Sequence, residues 1–348
     1  MKVYALYGVD DLRMEERDVP QPGPDQVLVR VRAVGICGSD IPRIFQTGTY
    51  SFPTVPGHEF SGTVAAVGAE VPLEWKGRRV GVFPLIPCMN CAPCRQKHYE
   101  LCRNYSYLGS RTDGGFAEYA LAPRDNLIAL PEGVSFEAAA MLEPMAVAVH
   151  ALRRARVSPD QTVAVYGQGT IGLLVDMFLK EAGVERVLAL GNKAQQKRSA
   201  MEMGVAEEHF CDTRTQELRP WLTEKTDKRG VDVFIECIGK SDTIGTAIDM
   251  TAPMGTVVLV GNPCGDVSLE KAVYWKILRN QLTVEGCWNS SFTGEETDDW
   301  HYVLERLDRK RIMPERLITH LYSLEQLPRG LEIMRSKEEE YVKVMVKP

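Results

Sequence analysis

Apolar residues recur along this chain in two different rhythms. Up to about residue 119 they come as short β-type runs, at 26–33, 60–67, 79–83 and 116–122, punctuated by glycine and proline. That pattern predicts a β-rich, barrel-like domain. After Glu137 the rhythm turns helical, and from Gln161 onward short apolar runs alternate with longer amphipathic segments. The runs at 162–166, 186–190, 208–211, 231–237, 256–260 and 282–286 read as the strands of a doubly wound parallel sheet. Beyond Trp288 the repetition stops, and a helical segment at 300–307 leads to a closing run at 341–346 that is expected to rejoin the first domain. The organisation is therefore read as a β-rich domain over 1–150, a parallel α/β domain over 151–288 and a return segment over 289–348. No internal repeat or low-complexity tract stands out, and Lys337-Glu338-Glu339-Glu340 reads as a solvated face.

Composition narrows this without changing it. With 348 residues, 44% hydrophobic and 25% charged, the chain is long enough for two ordinary globular cores. A net charge of −6 supplies no general attraction to nucleic acid or an anionic membrane, so any anionic ligand has to be caught locally. The first ten residues lack an apolar core of the secretory kind, and the apolar stretch near Met141 is broken by Glu143 and Pro144, so neither a signal peptide nor a membrane span is expected. Of nine cysteines, four fall within 15 residues, which suits metal binding in a reducing, cytoplasmic setting better than a disulfide framework.

Those four, Cys88, Cys91, Cys94 and Cys102, form C-x2-C-x2-C-x7-C within a lobe of about 86–104. The spacing lets a short loop wrap four thiolates around one zinc ion, and four protein ligands leave no position for a substrate. An iron–sulfur run would place its last cysteine closer and before proline, whereas Arg103 follows here. A second motif, Gly167-Gln168-Gly169-Thr170-Ile171-Gly172, follows the strand run Val163-Ala164-Val165-Tyr166 and opens an apolar helix. That strand–turn–helix context is what a dinucleotide pyrophosphate needs: a tight turn, a close backbone approach and helix N–H groups facing phosphate. Three further signals, Cys37-Gly38-Ser39-Asp40, Gly57-His58-Glu59 and Glu143-Pro144, are weak one at a time. A buried thiol, a hydrogen-bonded core histidine and an acid in a helix first turn would account for each separately.

Taken in order, the motifs make the chain resemble the zinc-containing medium-chain alcohol and polyol dehydrogenases over nearly its whole length. The resemblance rests on Gly35-Ile36-Cys37-Gly38-Ser39-Asp40, Gly57-His58-Glu59-Phe60-Ser61-Gly62, the four-cysteine lobe, Asp113-Gly114-Gly115-Phe116-Ala117-Glu118-Tyr119 and the glycine-rich turn. It implies an α/β chain with a GroES-like catalytic domain built from both chain ends and a Rossmann domain inserted between them. It also implies a catalytic zinc on Cys37, His58 and Glu143, with Glu59 as a neighbouring or alternating ligand. Ser39 would take the alcohol proton while a hydride leaves for the nicotinamide; the alternative for Ser39 is a turn-former beside Gly38. Pro42 stands where many members carry a relay histidine, so the outward half of a relay must use other groups. A homodimer or homotetramer is implied by the resemblance alone.

Within the family, Cys37-Gly38-Ser39-Asp40-Ile41-Pro42-Arg43-Ile44-Phe45, Gly109-Ser110-Arg111-Thr112-Asp113-Gly114-Gly115 and Lys276-Ile277-Leu278-Arg279 resemble the polyol-phosphate dehydrogenases of the galactitol-phosphate kind. Arg43 and Arg111 are candidate contacts for a substrate phosphate, with a surface salt bridge, or for Arg111 support of the Asp113 turn, as the alternatives. An unphosphorylated polyol dehydrogenase, a threonine dehydrogenase and a non-catalytic nucleotide-binding or redox-sensing protein are the competing functions. For the cofactor, Gly191 stands 24 residues after Gly167, where an NAD-binding strand usually ends in an acid. The missing carboxylate, with Lys193, Lys197 and Arg198 nearby, favours NADP, with the solvated face of the next helix as the alternative for Lys197 and Arg198, while Asn192 retains ribose hydrogen bonding for NAD.

Overall fold

The run that begins at Gln26 forms the strand Gln26–Ile36, three residues longer than its alternation predicts, in a computed structural model that describes residues 1–348. Arg30 and Arg32 face solvent while Val27, Val29, Val31 and Ala33 are buried, the period of two that one covered sheet face demands. Around it lies a seven-stranded sheet in the order Ile318–Ser323, Lys343–Lys347, Gln26–Ile36, Glu59–Val67, Arg79–Val82 and Leu127–Ala129, with Tyr119–Pro123 also pairing to Gln26–Ile36. Register shifts between Leu28 and Val29 and between Val31 and Ala33 mark bulges, which bend and twist a strand enough for its sheet to curl.

The chain end returns to this sheet. Lys343–Lys347 runs antiparallel to Gln26–Ile36, with Val344 opposite Ile36 and Val346 opposite Val34. Trp300, on the helix Asp299–Asp308, is buried against Phe83 and Phe292 at ring separations of 5.4 and 5.6 Å. Two compact units follow: Met1–Glu143 together with Ser291–Pro348, and Pro144–Ser290.

The second unit carries six parallel strands in the order Phe210–Asp212, Arg186–Gly191, Thr162–Tyr166, Val231–Glu236, Thr251–Leu259 and Thr283–Gly286. This is a Rossmann order, with the first strand central and the direction of winding reversing beside it. Its inner strands are buried along nearly their whole length, as strands covered by helices on both faces must be.

Several strand boundaries differ from expectation, and the run at 116–122 joins the sheet only at Tyr119–Pro123, because Phe116 and Ala117 are first engaged by Tyr4 and Val3. The strand expected at 208–211 starts at Phe210, because Glu207–His209 closes a tight 3-10 turn first. The strand expected at 256–260 begins at Thr251, and Met254, at φ 66°, lets the chain kink without leaving the sheet. No helix is long and apolar enough to cross a membrane.

Candidate metal and nucleotide sites

Lys343 and Glu59 form a buried ion pair at the heart of the first unit, and Lys343 Nζ also donates to Ile36 O at 3.1 Å. A Cβ on Gly35 would come within 2.2 Å of Glu59 Oε2 and 2.7 Å of Lys343 Cε, so glycine there leaves the space the pair occupies. The strand end that carries Gly35 also delivers Cys37. Together, Cys37, His58 and Glu59 bring one ligand atom each to within 4.8 Å of one another.

Asp40 organises the rim. It is fully buried, its Oδ2 accepts from Cys37 N at 2.9 Å, and its Oδ1 accepts from Arg43 Nη1 at 2.9 Å and lies 3.4 Å from His58 Nδ1. Burial opposes its charge, but His58 and Arg43 outweigh that and hold its carboxyl below the usual range. Burial also opposes a charged His58, yet Asp40 and Cys37 hold the imidazole well above its ordinary value. Surroundings that retain a proton this strongly offer a divalent cation the same attraction, and one thiolate, one imidazole and one carboxylate form a chemically sound zinc donor set. His58 Nδ1 is buried without a hydrogen-bond partner of good geometry, so the ring is not satisfied by protein alone.

Glu143 stands in the first turn of the helix Leu142–Ala155 and is outside that three-donor group. Its Oε1 accepts from Tyr107 OH at 3.4 Å, and the Tyr107 ring lies 5.7 Å from that of His58. Burial, and then the charge of Glu59, push its carboxyl up to about 7 against the pull of His58 and Lys343. Ser39 is exposed, caps no backbone group and donates through Oγ to Cys37 Sγ at 3.3 Å. Gly38 and Ser39 also form the turn that Asp40 N closes onto Cys37 O at 3.0 Å, so the residue shapes the turn and exposes its hydroxyl together. Arg43 spends its Nη1 on Asp40, which ties it to the site through one of its donors.

The four-cysteine lobe is closed by a two-residue ladder, Leu85–Ile86 against Ser106–Tyr107. Cys88, Cys91, Cys94 and Cys102 bring their sulfurs within 4.8 Å of one another, with Cys91 Sγ 3.4 Å from Cys94 Sγ and 3.9 Å from Cys102 Sγ. Zinc–sulfur bonds of about 2.3 Å in a tetrahedron put sulfurs roughly 3.8 Å apart, so the donors fit that ion. Backbone N–H groups of Arg103 and Cys94 lower the Cys91 thiol to about 6, whereas burial and the neighbouring thiols push Cys94 up to about 12. All nine cysteines are free of disulfides.

In the second unit the glycine-rich turn joins Thr162–Tyr166 to the helix Thr170–Glu181. Gly167, at φ 103°, makes the turn, and a Cβ on Gly172 would sit 2.0 Å from Gly167 O. A Cβ on Gly169 would meet nothing within 4 Å, so the backbone there is open to a pyrophosphate. Gln168, also in this turn, is buried and donates to Val165 O at 3.3 Å, while Thr170 and Ile171 begin the helix. The cations proposed for a 2′-phosphate are engaged elsewhere: Lys197 pairs with Glu207 at 2.8 Å and Arg198 donates to Gln195 Oε1 at 2.6 Å. Lys193 stands at the N-cap position of the helix Ala194–Glu202 without a side-chain cap, and Asn192 is exposed, its backbone N–H held by Gln196 Oε1 at 2.9 Å.

Sequence reasoning missed Lys343, Asp40, Tyr107 and Glu236. The last is buried at a strand end and accepts from Ile238 N, Gly239 N and Thr243 Oγ1 at 2.9, 2.9 and 2.8 Å, shaping the loop beyond the fourth strand of the second unit's sheet. Asp40 adjoins a recognised ligand motif and could have been found there; Lys343 lies 284 residues from its partner with no local signal.

The two family models that match describe an alcohol dehydrogenase GroES-like domain over residues 23–132 and a zinc-binding dehydrogenase over residues 170–309. The chain is 33% identical over 322 residues to galactitol 1-phosphate 5-dehydrogenase of Escherichia coli strain K12, covering 92% of each protein. It is 30% identical to sorbitol dehydrogenase of Bacillus subtilis strain 168, covering 100% of this chain and 97% of that one. Among solved structures, galactitol-1-phosphate dehydrogenase from Escherichia coli superposes at a TM-score of 0.92 with 31% identity and full coverage of both chains. A zinc-binding dehydrogenase from Sinorhizobium meliloti 1021 bound to NADP superposes at 0.90 with 30% identity, covering 100% of this chain and 99% of that one. The chain thus belongs to the zinc-dependent medium-chain alcohol and polyol dehydrogenases, and it is an oxidoreductase of that family.

Proposed function

We propose that this enzyme oxidises a secondary hydroxyl of an acyclic polyol phosphate, with zinc held by Cys37, His58 and Glu143 and with Glu59 as an alternating ligand. The observation that carries the reading is the convergence of Cys37, His58 and Glu59 within 4.8 Å beside the exposed hydroxyl of Ser39. When bound, zinc supplies Lewis acidity that lowers an alcohol's pKa, and the nicotinamide supplies the hydride acceptor. The chain's own residues do the rest. Asp40 fixes the backbone of Cys37 and sets its charge beside the ring of His58; Lys343 restrains Glu59; Tyr107 restrains Glu143. Ser39 Oγ accepts the substrate's hydroxyl proton and, being exposed, releases its own to water. No histidine continues that path, since Pro42 occupies the next turn.

The phosphate part of the reading draws on the likeness to galactitol 1-phosphate 5-dehydrogenase, and the second reading, a neutral polyol, draws on the likeness to sorbitol dehydrogenase. For the cofactor, a carboxylate-free strand end at Gly191 supports NADP as well as NAD, while the engaged Lys197 and Arg198 weaken any preference between them. We place the protein in the cytoplasm, where free thiols persist, and infer a homo-oligomer, dimer or tetramer.

The test is a polyol panel with and without a terminal phosphate, run with both oxidised cofactors. Wild-type protein should carry two zinc ions per chain, and His58→Ala should lose at least about 1,000-fold in kcat while nucleotide binding persists. Near-normal turnover after that substitution would overturn the ligand assignment.

A further inference from the structure

Arg111 is a cation with no counter-ion. Its guanidinium carbon lies 4.1 Å from the centroid of the Tyr50 ring and 4.4 Å from that of Tyr105, so an aromatic face contacts it from each residue. Its Nε is buried and has no hydrogen-bond partner. Asp113 does not supply one: its Oδ1 accepts from Val55 N at 2.8 Å and its Oδ2 faces Arg17 at 3.4 Å. Support of the Asp113 turn, the alternative for this arginine, is thereby removed.

Aromatic rings satisfy the faces of a guanidinium by cation–π attraction and leave its N–H edges unmet. A buried donor without an acceptor is a cost that folded proteins rarely carry without a use. Two rings packed on the guanidinium restrict its motion before any ligand arrives, so an oxyanion that approaches its N–H edge meets partly preorganised donors. The position is close to the chemistry. Tyr105 contacts Tyr107 at 6.3 Å between ring centroids, and Tyr107 contacts His58 at 5.7 Å, so two ring contacts join the clamp to the proposed zinc ligands within the same unit.

We infer that Arg111, clamped between Tyr50 and Tyr105, receives the terminal oxyanion of the substrate whose hydroxyl reacts beside Cys37 and His58. The inference rests on the polyol-phosphate reading above, in which that oxyanion is a phosphate monoester; a terminal carboxylate on a sugar acid presents the same paired oxygens to the fork. Arg111 is therefore a specificity-determining residue, and the substrate is held at both ends, by its anion and by its reacting carbinol.

The experiment compares kcat/KM for a hexitol 1-phosphate, the corresponding aldonate and the parent hexitol, using wild-type holoenzyme, Arg111→Gln, Arg111→Lys and Tyr50→Leu. Binding of the phosphate ester is followed separately by isothermal titration. Wild type should favour the phosphate ester, and Arg111→Gln should cut that preference roughly 10- to 100-fold, mainly through KM and with weaker binding of the ester. Arg111→Lys should recover part of it, because an ammonium keeps the charge and loses the planar fork. Tyr50 is 71% exposed, so Tyr50→Leu loosens the clamp without disturbing a core and gives a reading even if Arg111→Gln folds poorly. Arg103→Gln, an exposed cation of the cysteine lobe, should leave the preference intact. A phosphate preference that survives in both Arg111→Gln and Tyr50→Leu overturns this inference and leaves the polyol-phosphate reading standing. A wild-type preference for the aldonate that Arg111→Gln erases sustains the inference and overturns the phosphate reading. Equal constants for all three substrates overturn both.

Discussion

A side chain at position 191 would strike the Phe210 ring: a Cβ built on Gly191 lies 2.8 Å from Phe210 Cζ, 2.9 Å from Gln196 Oε1 and 3.2 Å from Gln168 Cβ. A side chain there would oblige the ends of Phe210 and Gln196 to move, so packing as well as cofactor choice favours the glycine where an acid was expected. Asp176 is the converse case, a charge-bearing side chain buried with little compensation. It is fully buried on the helix Thr170–Glu181, neither carboxylate oxygen has a hydrogen-bond partner of good geometry, and the half-buried Cys237 feels its charge. Burial holds its carboxyl well above the ordinary value, against a weaker pull from Gln168. The sign follows from linkage. A carboxyl whose pKa is raised on folding binds a proton that the unfolded chain has released, so it costs nothing at low pH and destabilises progressively as pH rises above about 4. Asp176→Asn should therefore raise stability at pH 8, by on the order of 1–3 kcal/mol, and by less at pH 5. Thermal unfolding at the two pH values measures this; a gain that is equal at both, or a loss at pH 8, would mean that the carboxylate has a partner in solution.

Among the elements, the cysteine lobe has the least of its own to hold it. Its regular structure amounts to the four-residue helix Ala92–Arg95, the 3-10 turn Tyr99–Leu101 and the two-residue ladder at its base, and Met89 and Leu101 are exposed. With so little apolar burial, the metal has to supply the folding free energy. Cys94→Ser should lower the zinc content by one ion per chain and the melting temperature by at least about 10 °C, since structural zinc contributes on the order of 10 kcal/mol in small domains. Zinc analysis paired with calorimetry checks it, and a protein that loses catalysis at an unchanged melting temperature would refute a structural role. The lobe was legible because ligand spacing is local, and so were the second unit's central strands, whose apolar runs are continuous. What stayed hidden is non-local. The pairing of Ile318–Ser323 with Lys343–Lys347, and the reach of Lys343 to Glu59, depend on the order in which strands assemble, and no periodicity records that order. Likewise Cys37, His58 and Glu143 could be read as ligands only as a family pattern, whereas the restraint of Glu143 by Tyr107 required coordinates.

For the molecule as a whole, the surface that asks for a partner lies on the second unit. Its parallel sheet ends on one side at Phe210–Asp212, where Phe210 and Cys211 are buried, and on the other at Thr283–Gly286, where Thr283, Val284 and Gly286 are all exposed. An exposed edge strand presents unpaired N–H and C=O groups, and proteins usually cover it or arm it with charge. Here Glu285 is paired with Arg154, and Lys271 and Arg279 lie over Trp275, yet several large apolar side chains stay uncovered. The neighbouring helix Lys271–Arg279 buries none of its residues, leaving Tyr274, Trp275 and Leu278 exposed, and Trp288 just beyond the strand is 54% exposed. An apolar, unpaired edge of this kind is satisfied by a second copy related by a two-fold axis, which pairs the edge with itself and buries the same residues from both chains. The enzyme should therefore be at least a dimer. Val284→Lys, which puts a charge at the centre of that edge, should shift the mass measured by light scattering to that of one chain, whereas Leu73→Lys, at a still more exposed apolar position of the first unit, should not. A wild-type protein that runs as a monomer at micromolar concentration, or a Val284→Lys variant that keeps the oligomeric mass, would show that this edge is left to solvent and that its apolar residues serve some other contact.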